Sequence, residues 1–187
     1  MSFNIPNVLT IFRVVAAPCV ALVFLVMARP LADGIAFALF SIAAISDFFD
    51  GWLARRWGQV SAFGRMLDPI ADKAMVAITG ALLLALHGLE PLIVIPVTVI
   101  LLRETLVSGL REYLKGARIL DVTLMAKWKT TAQMLGLGTL LLAGAMGGTW
   151  IEVIGLITLW IAAALTAITG YDYFQKGLAH IALEEVP

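Results

Sequence analysis

Four aspartates sit in one polar stretch of an otherwise apolar chain, "DFFDGWLARRWGQVSAFGRMLDPIAD", from Asp47 to Asp72. Asp47 and Asp50 are three residues apart, and Asp68 and Asp72 are four apart. On a helix each pair shares a face. Gly58 and Gly64 fall between the pairs and let the chain turn back, so two helices can bring four carboxylates together. Four close carboxylates repel, and desolvation beside lipid adds to the cost. Divalent cations relieve that cost, and oxygen-only ligands suit Mg²⁺ or Mn²⁺. A cluster of this size is expected to hold two ions, as in sites that act on phosphoryl groups. Gly51 leaves the helix surface bare beside Asp50, and Ala54 lies one turn on. Together they admit a bulky ligand close to the backbone, and Arg55 suits a phosphate. The competing reading is a set of interfacial carboxylates paired with Arg55, Arg56 and Arg65.

A second polar group lies downstream. In "RETLVSGLREYLKG", Arg103 to Gly116, residues Glu104, Ser108, Arg111 and Lys115 fall on one helical face and Arg103 flanks it. "KWKTTAQ" adds Lys127, Lys129, Thr130 and Thr131. These are phosphate-type donors in a dense group. Topology and attraction to anionic lipid account for Lys115 and Arg118. They account less well for Arg103 and Arg111 on a largely apolar helix. Arg103, Ser108, Arg111, Lys127, Lys129 and Thr130 are therefore expected to bind a phosphate.

The elements that position these groups follow from composition. The chain of 187 residues is 61% hydrophobic and 14% charged, against about 45–50% and 25% for soluble domains. It is read as a single integral membrane domain over residues 1–187, all-α. Six segments approach the roughly 20 apolar residues a spanning helix needs: Val8–Ala28, Leu31–Leu53, Leu67–Leu86, Pro91–Val107, Thr131–Met146 and Ile151–Tyr171. The first is read as a retained helix rather than a cleaved leader, because Arg29 and Pro30 follow directly. Of the 13 Lys and Arg residues, all but Arg29 fall on one side of this arrangement. The positive-inside rule then places both termini, the aspartates and the basic group at the cytoplasmic face of the cell membrane. Cys19 is the only cysteine, which excludes an internal disulfide and a cysteine-based metal site. The formal net charge is zero, and no nucleic-acid partner is expected. Gly144 and Gly147 are small residues able to pack helices.

The aspartate stretch resembles the signature of the CDP-alcohol phosphotransferase family, D-x2-D-G-x2-A-R-x8-G-x3-D-x3-D. All eight fixed positions are present: Asp47, Asp50, Gly51, Ala54, Arg55, Gly64, Asp68 and Asp72. The resemblance implies a six-helix membrane enzyme, often a homodimer. Such enzymes transfer a phosphatidyl or similar group from a CDP-linked donor to an alcohol and release CMP. It makes the four aspartates ligands of a dinuclear Mg²⁺ or Mn²⁺ site and Asp72 the general base. Gly51, Ala54, Arg55 and Gly64 then line the CDP pocket. Asn7, Thr10 and Arg13, near one face of the first span, are expected to help close it, although Arg13 serves equally well as an interfacial anchor. "NIPNVLTIFRVVAAP", "RETLVSGLREYLKG" and "KWKTTAQM" resemble the branch that makes phosphatidylglycerophosphate from CDP-diacylglycerol and sn-glycerol 3-phosphate. That resemblance runs to about Met134, and the last two spans read as generic. Inositol phosphate, serine and phosphatidylglycerol stand as alternative acceptors. A small ion or phosphate transporter stands as the alternative from another class.

Overall fold

The computed structural model describes residues 5–57, 61–114 and 124–184; within these, the side chains of 5, 6, 48, 50–55, 57, 124, 126, 127 and 182–184 are not described. The described chain forms six α-helices: α1 (Ile5–Val26), α2 (Leu31–Trp57), α3 (Ala62–His87), α4 (Pro91–Tyr113), α5 (Leu124–Met146) and α6 (Thr149–Glu184). All six expected segments are helical, and most run past the expected ends. Hydropathy marks only the apolar middle of a helix. The polar turns beyond it remain helical because their backbone hydrogen bonds continue: α2 runs on through the first aspartates to Trp57 and α4 through Arg111 to Tyr113. Pro18, Pro69 and Pro96 lie inside α1, α3 and α4, where neighbouring helices can re-satisfy the freed carbonyls. Among the described residues four stretches are long and apolar enough to cross a membrane: Asn7–Val26, Ala62–His87, Pro91–Tyr113 and Thr149–Ile181.

Small residues set the packing. α1 and α2 pack against one another, and Ala16, Ala17 and Val20 of α1 and Ala36, Phe40 and Ala43 of α2 are buried in the same apolar core. Lipid tails are as apolar as these side chains, so close backbone approach rather than hydrophobic expulsion holds such helices together. α5 and α6 meet through glycine. A Cβ at Gly136 would stand 2.9 Å from the backbone nitrogen of Leu159, and one at Gly155 the same distance from Leu140. Gly136→Ala is accordingly expected to destabilise the protein by about 1–3 kcal/mol through overpacking, seen as a lower melting temperature in detergent. An unchanged or higher value would show that α5 and α6 have slack.

At the end of the bundle away from the aspartates, Asp33 of α2 is buried and accepts a 2.8 Å bond from Arg29. Gly144 faces this ion pair directly and leaves no room for a side chain. It therefore packs as the sequence suggests, against charge rather than against another apolar helix. Gly147 does not pack: it adopts φ +66 in the turn between α5 and α6, with nothing near its missing side chain. Its role is the left-handed backbone that glycine adopts without strain.

Candidate functional site

Asp47 of α2 is brought to Asp68 and Asp72 of α3, with α1 as the third wall; the Asp50 side chain lies outside the described residues. Ser61 caps α3: its Oγ accepts from the Gly64 N–H at 2.9 Å, which fills one of the orphan donors of the first turn. The same hydroxyl donates to Oδ1 of Asn7 at 2.6 Å. A Cβ on Gly64 would stand 3.1 Å from that Asn7 oxygen, so Gly64 admits α1 to the start of α3. One turn along, Thr10 donates to Asp68 at 2.8 Å. The structure thus unites Asn7, Thr10, Gly64 and Asp68, which the sequence places in two separate motifs.

Arg13 stands at the centre. It is 1% exposed, and its guanidinium reaches Asp47 at 2.7 Å, Asp68 at 4.0 Å and Asp72. These carboxylates are close to half exposed. A buried guanidinium is tolerated only when paired, and three aspartates pair this one. Arg13 is no interfacial anchor. The signal was its phase: Asn7, Thr10 and Arg13 recur every three residues on the face that α1 turns toward α3.

The donor set suits hard divalent cations. It is made of carboxylate oxygens, and the one guanidinium does not cancel the charge of three described aspartates. Among the described residues no three acidic, His or Cys side chains converge on one point by themselves, because the described carboxylates turn onto Arg13. The side chains of Asp50, Gly51, Ala54 and Arg55 lie outside the described residues, although their backbone continues α2.

Beside the aspartates opens a polar cavity of about 310 Å³. Asp68, Asp72 and Lys73 of α3 form one wall; Arg103, Glu104 and Arg111 of α4 and Lys129, Thr130 and Gln133 of α5 form the others. The expected acceptor residues Arg103, Arg111, Lys129 and Thr130 therefore share a space with Asp72. Ser108 does not line it, because its hydroxyl donates to the backbone carbonyl of Glu104 on its own helix. The Lys127 side chain lies outside the described residues.

Glu104 holds the cations in place. Its Oε1 accepts from the buried Lys129 ammonium and, at 3.2 Å, from Arg103. Arg103 also reaches Thr169 of α6 at 3.4 Å, while its buried Nε has no partner. Gln133 donates to Thr166 at 3.0 Å. An unfilled buried donor is costly, and here it sits on a residue that lines the cavity. The contribution of α6 is absent from the sequence reading, which treats that helix as generic. Gly170 and Gly177, seven residues apart on one face, were the available signal.

Residues 3–168 match the family described as CDP-alcohol phosphatidyltransferase. The chain is similar to the CDP-diacylglycerol–glycerol-3-phosphate 3-phosphatidyltransferase of Cereibacter sphaeroides, at 46% identity over 97% of this chain and 98% of that one. It is 46% identical to the protein of the same name from Rickettsia bellii, over 92% and 94% of the two chains. With the one from Shigella flexneri serotype 5b it shares 39% identity over 97% and 98%.

Proposed function

The chain belongs to the CDP-alcohol phosphatidyltransferase family, and we propose that it transfers the phosphatidyl group of CDP-diacylglycerol to sn-glycerol 3-phosphate, giving phosphatidylglycerophosphate and CMP. The observation that carries the choice of acceptor is the shared cavity. Three cationic side chains, Arg103, Arg111 and Lys129, stand across one polar space from Asp72. A phosphorylated alcohol bound there points its hydroxyl toward the aspartates. The names of the relatives support the same acceptor.

Asp47, Asp50, Asp68 and Asp72 would hold two Mg²⁺ or Mn²⁺ ions, which when bound supply positive charge to the pyrophosphate oxygens. The chain's own residues do the rest. Asn7 and Thr10 fix α1 against Gly64 and Asp68 and so shape the nucleotide side of the site, with Gly51, Ala54 and Arg55 on the adjoining turns of α2. Arg103, Arg111, Lys129, Thr130 and Lys127 receive the acceptor phosphate by charge-assisted hydrogen bonds. The primary hydroxyl of glycerol 3-phosphate attacks the β-phosphorus of the donor. Asp72 accepts its proton as the new P–O bond forms. The bond to CMP breaks, and CMP leaves with the electron pair. A carboxylate need accept a proton only as the attacking oxygen becomes acidic, so its low intrinsic pKa does not prevent this.

The protein is read as integral to the cell membrane, with all six helices spanning and with termini and site facing the cytoplasm; the one-sided Lys and Arg distribution supports that orientation. Its assembly as a homodimer is proposed on the family resemblance alone. A panel of acceptors tests the function. Purified protein in liposomes holding CDP-diacylglycerol is expected to release CMP with glycerol 3-phosphate, and not with serine, inositol phosphate or phosphatidylglycerol. Release with another acceptor only would reassign the substrate. Phosphate or cation uptake without CMP release would favour a transporter.

A further inference from the structure

We propose that Tyr173, on the last helix, is a positioning residue for acceptor recognition: its ring fixes the spacing of Arg103 and Arg111 while leaving their charge intact. The assignment rests on the acceptor cavity described above and carries it to a helix outside the aspartate motif.

Arg103 and Arg111 are eight residues apart on α4, a rise of about 12 Å along the axis. On α4 itself Glu104 pairs with Arg103, which does not fix its distance from Arg111. The ring of Tyr173 does: the guanidinium carbon of Arg103 lies 5.5 Å from its centroid and that of Arg111 lies 5.4 Å away. Both are within cation–π range. The ring is 2% exposed and Arg103 is buried beside it, while Arg111 reaches the ring from an exposed position.

Glycines flank the tyrosine and press α6 onto α4. A Cβ at Gly170, three residues before it, would stand 2.7 Å from Cγ of Arg103. A Cβ at Gly177, four residues after it, would stand 2.7 Å from the side chain of Leu110. The bare α6 surface at Gly170 is what lets the Arg103 stem cross α6 close enough to meet the ring. Tyr173 is thus seated between two close approaches of the helices.

The choice of an aromatic ring has a chemical consequence. Arg103, Arg111 and Lys129 repel one another, and two devices keep them assembled. Glu104 pairs with Lys129 and Arg103 and cancels one positive charge. Tyr173 braces Arg103 and Arg111 and cancels none. The cavity carries four cations, Lys73, Arg103, Arg111 and Lys129, against three carboxylates, Asp68, Asp72 and Glu104. Its positive charge is concentrated on the α4 and α5 walls, across from Asp68 and Asp72, where a phosphate would bind by charge-assisted hydrogen bonds. A carboxylate in place of the tyrosine would also hold the arginines, but it would compete with the substrate.

The test compares wild type, Tyr173→Phe and Tyr173→Leu in lipid nanodiscs, with CMP release followed against glycerol 3-phosphate and, separately, against CDP-diacylglycerol. Tyr173→Leu is expected to raise the KM for glycerol 3-phosphate about tenfold, with kcat and the donor KM changed less than about twofold. Tyr173→Phe keeps the ring and is expected to restore the acceptor KM to within about twofold of wild type. Should Tyr173→Leu fail to fold, Gly170→Ala carries the test: it leaves the ring but displaces the Arg103 stem, and the acceptor KM is again expected to rise alone. An unchanged acceptor KM in the leucine variant overturns the proposal. So does a phenylalanine variant as impaired as the leucine one, or a rise in both KM values together with a lower melting temperature. A wild-type enzyme that releases no CMP with glycerol 3-phosphate would instead overturn the reading of the reaction beneath it.

Discussion

Replacing Asp72 by Asn is expected to lower kcat by roughly 10³-fold or more while binding of CDP-diacylglycerol survives. Asn has nearly the shape of Asp but cannot take a proton at the transition state. Asp68 and Asp72 both line the cavity shared with Arg103, Arg111 and Lys129, whereas Asp47 reaches Arg13 from the side of α2. Asp68 accepts a hydrogen bond from Thr10, and the family resemblance gives the role of base to Asp72. The Asp72→Asn protein should remain folded, because Arg13 keeps Asp47 and Asp68 as partners. Single-turnover CMP release, with binding of a fluorescent donor analogue measured alongside, separates loss of chemistry from loss of binding. A variant with near-normal kcat would remove Asp72 from the role of base.

The second large effect concerns the cations. Chelation is expected to take activity to background, and Mg²⁺ or Mn²⁺ is expected to restore it. The recovery should be complete rather than partial. Arg13 already bridges α1 to the carboxylates of α2 and α3, so the helices stay gathered when ions are withdrawn. This differs from small zinc domains, whose folding free energy is the binding free energy of the metal. The melting temperature in chelator should therefore fall far less than activity does. Full turnover in excess chelator would reject the metal assignment. Irreversible unfolding in chelator would reject the structural role given to Arg13.

How much of this was legible in the sequence depends on the range of each interaction. Spacings of four and seven are local, so the facing of Asp68 with Asp72, and of Glu104 with Arg111, could be read directly. Arg103, Arg111, Lys129 and Thr130 were legible as a group because they cluster in two short basic stretches, and the structure places them in one cavity. Ser108 shares their face but spends its hydroxyl on its own backbone, a choice periodicity does not record. Arg13 shows the opposite limit: its phase with Asn7 and Thr10 marks the face it shares, but its partner Asp72 is 59 residues away and is not named by that phase. Tyr173 carried no signal at all. An aromatic residue near the end of an apolar helix is ordinary, and it acquires meaning only when α4 is laid against it. Most helix ends were under-read for one reason, since the chemistry here occupies the polar turns that hydropathy discards; α1 instead stops at Val26, two residues short of the expected Ala28.

The length of α6 has a consequence for how substrate is measured. Its 36 residues extend about 54 Å, against a hydrocarbon thickness of about 30 Å. A helix that long cannot be wholly immersed, and Gly170, Tyr173 and Gly177 belong to its C-terminal half. With the orientation proposed above, the acceptor cavity they support is raised toward water, while the diacylglycerol tails of the donor stay in the oil. The two reactants then live in spaces of different dimension: one is counted per volume of solution, the other per area of membrane. Diluting the donor with inert lipid starves such an enzyme even when the amount of donor in the tube is unchanged, whereas diluting the whole suspension starves it only of the alcohol.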